Sequence, residues 1–134
     1  LEKVVYINQS VVDSILSYAK SNHPREGILL LRGRVSGDRA IVEDLVIPPF
    51  AIHGEGFSSF PLHSLPFDIS VIGVVHSHPS GVLSPSLNDL NNFYGKIMVI
   101  AAFPYESDRD IAVFNDRGDL LKHKVIQGSS GAQV

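Results

Sequence analysis

Val71-Ile72-Gly73-Val74-Val75-His76-Ser77-His78-Pro79, followed by a loop and then Ser86-Leu87-Asn88-Asp89, is the stretch around which this chain is organised. The run from Val71 to Val75 is apolar and, apart from Gly73, β-branched, which predicts a buried strand. Side chains two apart on a strand share a face. A strand continuing to His78 therefore projects His76 and His78 together and turns Ser77 the other way. Pro79 has no amide hydrogen to give a ladder and ends the strand. Ser80 to Pro85 carries turn residues at both ends and reads as a loop. Ser86 then caps a helix with Asp89 in its first turn, and the loop folds back to bring that carboxylate to the two imidazoles.

Imidazole nitrogen and carboxylate oxygen are ordinary zinc ligands, and catalytic zinc sites keep three protein ligands with a fourth position open to water. Iron also uses two histidines and a carboxylate, and the spacing alone does not separate the two metals. Taken singly, a His-x-His pair is more often two surface or hydrogen-bonded histidines, and Ser86-x-x-Asp89 is more often a helix capping box. Together, on strand, loop and helix, they point to a metal site open to chemistry, and so to an enzyme. The two uses of Ser86 are compatible, since its backbone can start the helix while its hydroxyl faces the metal.

These residues resemble the motif of the JAMM (MPN-plus) metalloprotease family: His-x-His-Pro, six residues, Ser, two residues, Asp. Here they are His76, His78, Pro79, Ser86 and Asp89, with Ser80 to Pro85 as the spacer. The family pattern also has a glutamate far upstream, at the start of an early strand. Glu26, in Pro24-Arg25-Glu26-Gly27-Ile28-Leu29-Leu30-Leu31, stands where it should be. By itself Glu26 reads as a solvated charge at a strand start. The resemblance covers residues 4 to 126 and implies one zinc ion (Zn2+) per chain, held by His76, His78 and Asp89. It makes Glu26 the group that takes a proton from the attacking water and passes it to the leaving amine. It makes Ser86 the donor to the oxyanion formed at the attacked carbonyl. Zinc can lower the pKa of bound water to about 7, beside which a carboxylate is a sensible proton shuttle.

The resemblance also implies an α/β, single-domain JAMM/MPN-like fold, with a central mixed β-sheet flanked by helices. The implied reaction is hydrolysis of the amide bond after the Gly-Gly C-terminus of a small ubiquitin-like modifier, free as a fusion or joined to a lysine in a protein conjugate. The chain lacks the long insertions of the eukaryotic ubiquitin-chain enzymes and looks like a minimal prokaryotic or archaeal member. An extended Gly-Gly tail can add to a sheet edge, so an edge strand is expected beside the site. Three other readings stand next to this one. The first is a peptidase that processes a sulfur-carrier protein. The second is a relation to RadC-type proteins, which share the pattern of His78-Pro79-Ser80-Gly81 and Pro85-Ser86 but commonly carry a helix-hairpin-helix part not seen here. The third is a non-catalytic scaffold, against which the complete ligand set argues.

The 134 residues are 44% hydrophobic and 19% charged, which suits one soluble globular domain with a sizeable core. A formal charge of −3 gives no basic footprint for nucleic acid. The absence of cysteine excludes disulfides, a cysteine nucleophile and thiolate zinc sites, and fits a cytoplasmic protein. No apolar run approaches the ~20 residues that span a membrane, and no signal-peptide pattern opens the chain, which begins at Leu1.

The pattern further predicts a strand over Val4 to Ile7 and an amphipathic helix to about Ser21, begun by a Ser10/Asp13 capping box and closed by His23-Pro24. Strands over 27–35 and 40–47 flank a Ser36-Gly37-Asp38 turn. Residues 48–68, which include Glu55, read as an irregular loop whose His53 and His63 could approach the site. Three more strands are expected over 96–103, 110–115 and 119–126. The domain is thus assigned to 1–126, and the small polar tail 127–134 reads as disordered. His23 and His123 are expected at the surface.

Overall fold

Continuous apolar runs build the central strands and alternating ones the first and last strands, and the sheet they form decides where the site lies. The computed structural model describes residues 3–48 and 70–127, and the backbone alone of 52–54 and 57–59. In chain order the elements are β1 (Val4–Asn8), α1 (Gln9–Asn22), β2 (Ile28–Ser36), β3 (Arg39–Val46), β4 (Ile52–Gly54) and β5 (Phe57–Ser59). They continue with β6 (Val71–His78), α2 (Leu87–Asn91), β7 (Ile97–Ala102), β8 (Ile111–Phe114) and β9 (Leu120–Ile126), with a single 3₁₀ turn at Asp108–Asp110. The fold is the α/β, mixed-sheet fold that the sequence implies. No helix among the described residues is long and apolar enough to cross a membrane.

The mixed sheet runs β1-β3-β2-β6-β7-β8-β9 and closes into a barrel, because β9 returns to pair with β1. The pairs β1–β3, β1–β9 and β6–β7 are parallel and the others are antiparallel. Closure is not visible in the sequence pattern, and it corrects one expectation. The barrel strands are paired on both sides, so no free barrel edge borders the site. Among the described residues, β4 and β5 form a separate two-stranded ladder within the segment expected to be irregular. The side chains of His53, His63 and Glu55 lie outside the described residues, as do residues 128–134 of the expected tail.

The two sheet faces carry different cores. One face takes α1, whose Val11, Val12, Ile15, Leu16 and Ala19 pack on Leu29, Leu31, Val75, Val99 and Val113. The other gathers Ile28, Leu30, Val74, Met98, Ile100 and Phe114. Each such side chain fully removed from water is worth about 1.5–3 kcal/mol, so β2, β6 and β7, buried on both faces, are the firm part of the molecule. Gly73 interrupts the apolar run of β6 because a β-carbon there would strike the Ile97 carbonyl oxygen. The Ser36–Asp38 turn forms as read, with Gly37 at φ +60°. The Ser10/Asp13 capping box does not form. The helix starts two residues earlier, with Asn8 at the N-cap and no side-chain cap bond, and Asp13 instead accepts from the Gln9 side chain at 2.9 Å.

Candidate metal centre

β6 delivers His76 and His78 to the face opposite α1, in line with Val74, as the strand alternation requires. Both are buried, at 0% and 6% exposure. Ser77 points to the α1 face and is also buried. The antiparallel neighbour β2 places Ile28 opposite His76, so Glu26, two residues earlier, arrives beside the end of β6. Glu26 is buried, not solvated as its isolated reading had it.

The chain then leaves β6 through Pro79 and the loop to Ser86, which caps α2 as expected. The Ser86 hydroxyl accepts from the Asp89 N–H at 3.0 Å, and the Ser86 N–H donates to Asp89 Oδ2 at 2.9 Å. This reciprocal capping box turns the Asp89 carboxylate inward, where it is 1% exposed. Asp89 Oδ2 lies 2.9 Å from His78 Nε2, and Oδ1 lies 3.6 Å from His76 Nδ1. One ligand atom each from Glu26, His76 and Asp89 falls within 4.8 Å of the others. Glu26, His76 and Asp89 therefore converge on one buried point, His78 joins them through the Asp89 carboxylate, and Ser86 is held at its edge.

Hydrogen bonding sets the protonation of the site. His78 Nδ1 lies 2.8 Å from the Val82 carbonyl oxygen, which can only accept, so Nδ1 carries a proton. Nε2 is left to face Asp89, the orientation in which a metal would replace a proton. Burial works against charge on His78, but the bonds to Asp89 and Val82 outweigh it and hold the imidazole above its ordinary pKa. At His76 burial outweighs the attraction of Asp89 and lowers the pKa to about 4. For Asp89 burial is outweighed by the bond to His78, the charge of His76 and the Ser86 N–H, and its pKa falls. A neutral histidine and a carboxylate kept ionised are the states in which these groups bind metal.

A cleft of about 320 Å³ opens over this point, with Glu26 and His78 at its base and Pro79, Val82, Pro85 and Ser86 on its walls. Three participants escaped the sequence reading. Ser77 accepts from the Gly27 N–H at 2.7 Å, and Val82 orients His78 through its carbonyl. Tyr105, fully buried at φ +59°, has its hydroxyl pKa raised by burial and then by the charge of Glu26. Ser77 alone had a local signal, its place between two histidines. His23 is exposed as expected, yet it stacks on Phe103 at 4.7 Å between ring centres. His123 is partly buried and contacts Asp108 at 3.1 Å.

Comparison with known proteins follows the same residues. The family model for prokaryotic homologues of the JAB domain matches residues 8–115. A protein of Haloferax volcanii described as a probable metalloprotease is 34% identical, over 88% of this chain and 77% of that protein. A solved structure described as JAMM, a metalloprotease-like zinc site in the proteasome and signalosome, is 29% identical with a TM-score of 0.63. It covers 95% of this chain and 99% of its own. A JAB1/MPN domain protein from Archaeoglobus fulgidus is 30% identical with a TM-score of 0.64, covering 93% and 97%.

Proposed function

We propose that this chain, which belongs to the family of prokaryotic homologues of the JAB domain, is a zinc metalloprotease that cuts the amide bond after the Gly-Gly end of a small ubiquitin-like modifier. The observation that carries the reading is the buried convergence of Glu26, His76 and Asp89 within 4.8 Å, with His78 bonded to the same carboxylate. The donor set is nitrogen and oxygen only, which fits zinc. His76, His78 and Asp89 would hold the ion. Bound there, zinc would supply Lewis-acid polarisation of the scissile carbonyl and an acidified water at neutral pH.

The chain's own groups do the rest. Glu26, from the β2 side, takes the proton of the attacking water and returns it to the leaving nitrogen. Ser86 uses an oxygen lone pair to accept from Asp89 N–H, so its hydroxyl proton stays available to the oxyanion. The cleft walls beside Ser86 are Pro79, Val82 and Pro85. A narrow, partly apolar cleft of that kind suits an extended tail without side chains, whether the bond beyond it joins a lysine or a fused extension. The tail seats in the cleft, and strand addition to the closed barrel is not required.

Metal content by elemental analysis, together with incubation against a panel of Gly-Gly-ended modifier fusions, tests this reading. One zinc per chain and cleavage after the second glycine are the expected results. Glu26→Gln should keep the zinc while lowering kcat by about 10²–10⁴-fold. A zinc-loaded protein that cleaves no fusion in the panel would remove the substrate assignment, and a Glu26→Gln protein with normal kcat would move the proton transfer elsewhere.

A further inference from the structure

We propose that Ser77 is a positioning residue for Glu26, an inference that rests on the catalytic role of Glu26 given above. Ser77 lies between two metal-site histidines but faces away from them, and at 2% exposure it reaches neither metal nor substrate. Its contacts run sideways, to the segment that carries Glu26. The Ser77 N–H donates to the Gly27 carbonyl at 3.1 Å, and its Oγ accepts from the Gly27 N–H at 2.7 Å. The residue next to Glu26 is thus clamped through both of its backbone polar groups by one residue of β6.

The clamp matters because of where the paired register stops. The β2–β6 register begins at Ile28 opposite His76, so Glu26 precedes it. The Ser77 side chain supplies an acceptor that the strand pairing does not. Gly27 is confined from the other direction as well. A β-carbon at position 27 would meet Tyr18 Cε2 at 2.6 Å, and the Tyr18 hydroxyl donates to the Ile28 carbonyl at 3.2 Å. Gly27 is therefore seated between the Ser77 hydroxyl and the Tyr18 ring, where a β-carbon would force the ring to shift. The same strand that presents His76 and His78 on one face fixes, through the other, the distance from those histidines to Glu26. A displacement of about 1 Å at a reacting group can cost about 10²-fold in rate, so a single hydroxyl behind the site can set its turnover.

Ser77→Ala and Ser77→Thr separate this role from a merely structural one. On the Gly-Gly-ended fusion that the native protein cleaves, Ser77→Ala should lower kcat by about 10²-fold with KM and zinc affinity unchanged. Ser77→Thr, which keeps the hydroxyl, should restore kcat. Crystal structures of the zinc-loaded native and Ser77→Ala proteins give a readout independent of turnover, in which the Glu26 carboxylate should be displaced from His76 and Asp89. Unchanged kcat, a loss of rate with Glu26 in its native place, or a loss that follows loss of zinc would each overturn the proposal. Should Ser77→Thr fail to fold, the position of Glu26 in Ser77→Ala decides. Should the native protein cleave no fusion, the substrate reading fails, while the same Glu26 displacement still judges the positioning role.

Discussion

The two halves of the site are held in different ways. Glu26, His76 and His78 stand at the ends of β2 and β6, strands buried on both faces and paired across most of their length. Ser86 and Asp89 stand on a five-residue helix at the end of an exposed loop, with Val82 53% and Leu87 75% accessible. Apolar burial positions the first half whether or not a metal is bound. The second half is attached chiefly through polar contacts: the Ser86–Asp89 box, Asp89 to His78, and His78 to the Val82 carbonyl. Two of those contacts use the very atoms that would bind zinc. Metal entry must therefore exchange the existing bond between the two halves, His78 to Asp89, for new ones.

The largest test of that contrast removes the loop half's anchor. Asp89→Ala deletes a proposed ligand, the partner of His78 and one arm of the capping box together. Zinc binding and activity should both be lost, because two histidines alone do not make a tight site, while the barrel stays folded. Elemental analysis with a thermal melt decides this, and native zinc stoichiometry in the variant would transfer the ligand role to Glu26.

A smaller effect distinguishes the two uses of Ser86. Ser86→Ala should reduce kcat by about 10²–10³-fold with zinc retained if the hydroxyl serves the oxyanion. Loss of the cap adds about 0.5–2 kcal/mol of destabilisation. Measured on one preparation, a less stable but fully active enzyme would leave only the cap.

The smallest effect concerns pH in zinc-free protein. His78 has its pKa raised in the folded state by Asp89 and Val82, so its contribution is fully present below the unfolded value of 6.5 and fades as pH rises through the folded value. His76, lowered to about 4 in the folded state, is neutral in both states only above its unfolded value of 6.5, where it drops out, and Asp89 stays ionised there. The melting temperature of zinc-free protein should therefore fall as pH rises above 6.5, and Asp89→Asn should flatten the slope. An equal slope in the variant would show that the His78–Asp89 contact does not hold the loop half.

Much of the site was legible because its rules are local. Period-two alternation on Val71–His78 placed both histidines on one face, and the chemistry of Ser86-x-x-Asp89 fixed the helix start that carries the carboxylate. What was not legible depends on partners far away in sequence. Ser77 acquires its meaning from Gly27, fifty residues earlier, and the burial of Glu26 from the strands around it. The Ser10/Asp13 reading failed for the converse reason. A capping pattern was present, but Asn8 at the end of β1 already starts the helix, and the residues behind the pattern were free to pair otherwise. Barrel closure had no local signal, since Val4 meets Lys122 across almost the whole chain.

That seam has a consequence for the birth of the protein. β1 leaves the ribosome well before its partner β9, which follows more than a hundred residues later. Until Leu120–Ile126 emerges, one side of β1 is an open template that a neighbouring nascent chain can occupy. A join between such distant segments is entropically dear and slow to form. Nascent chains on one message are therefore exposed to mispairing for the whole interval between these two strands, and a barrel whose strands are all paired when finished is most vulnerable just before β9 arrives.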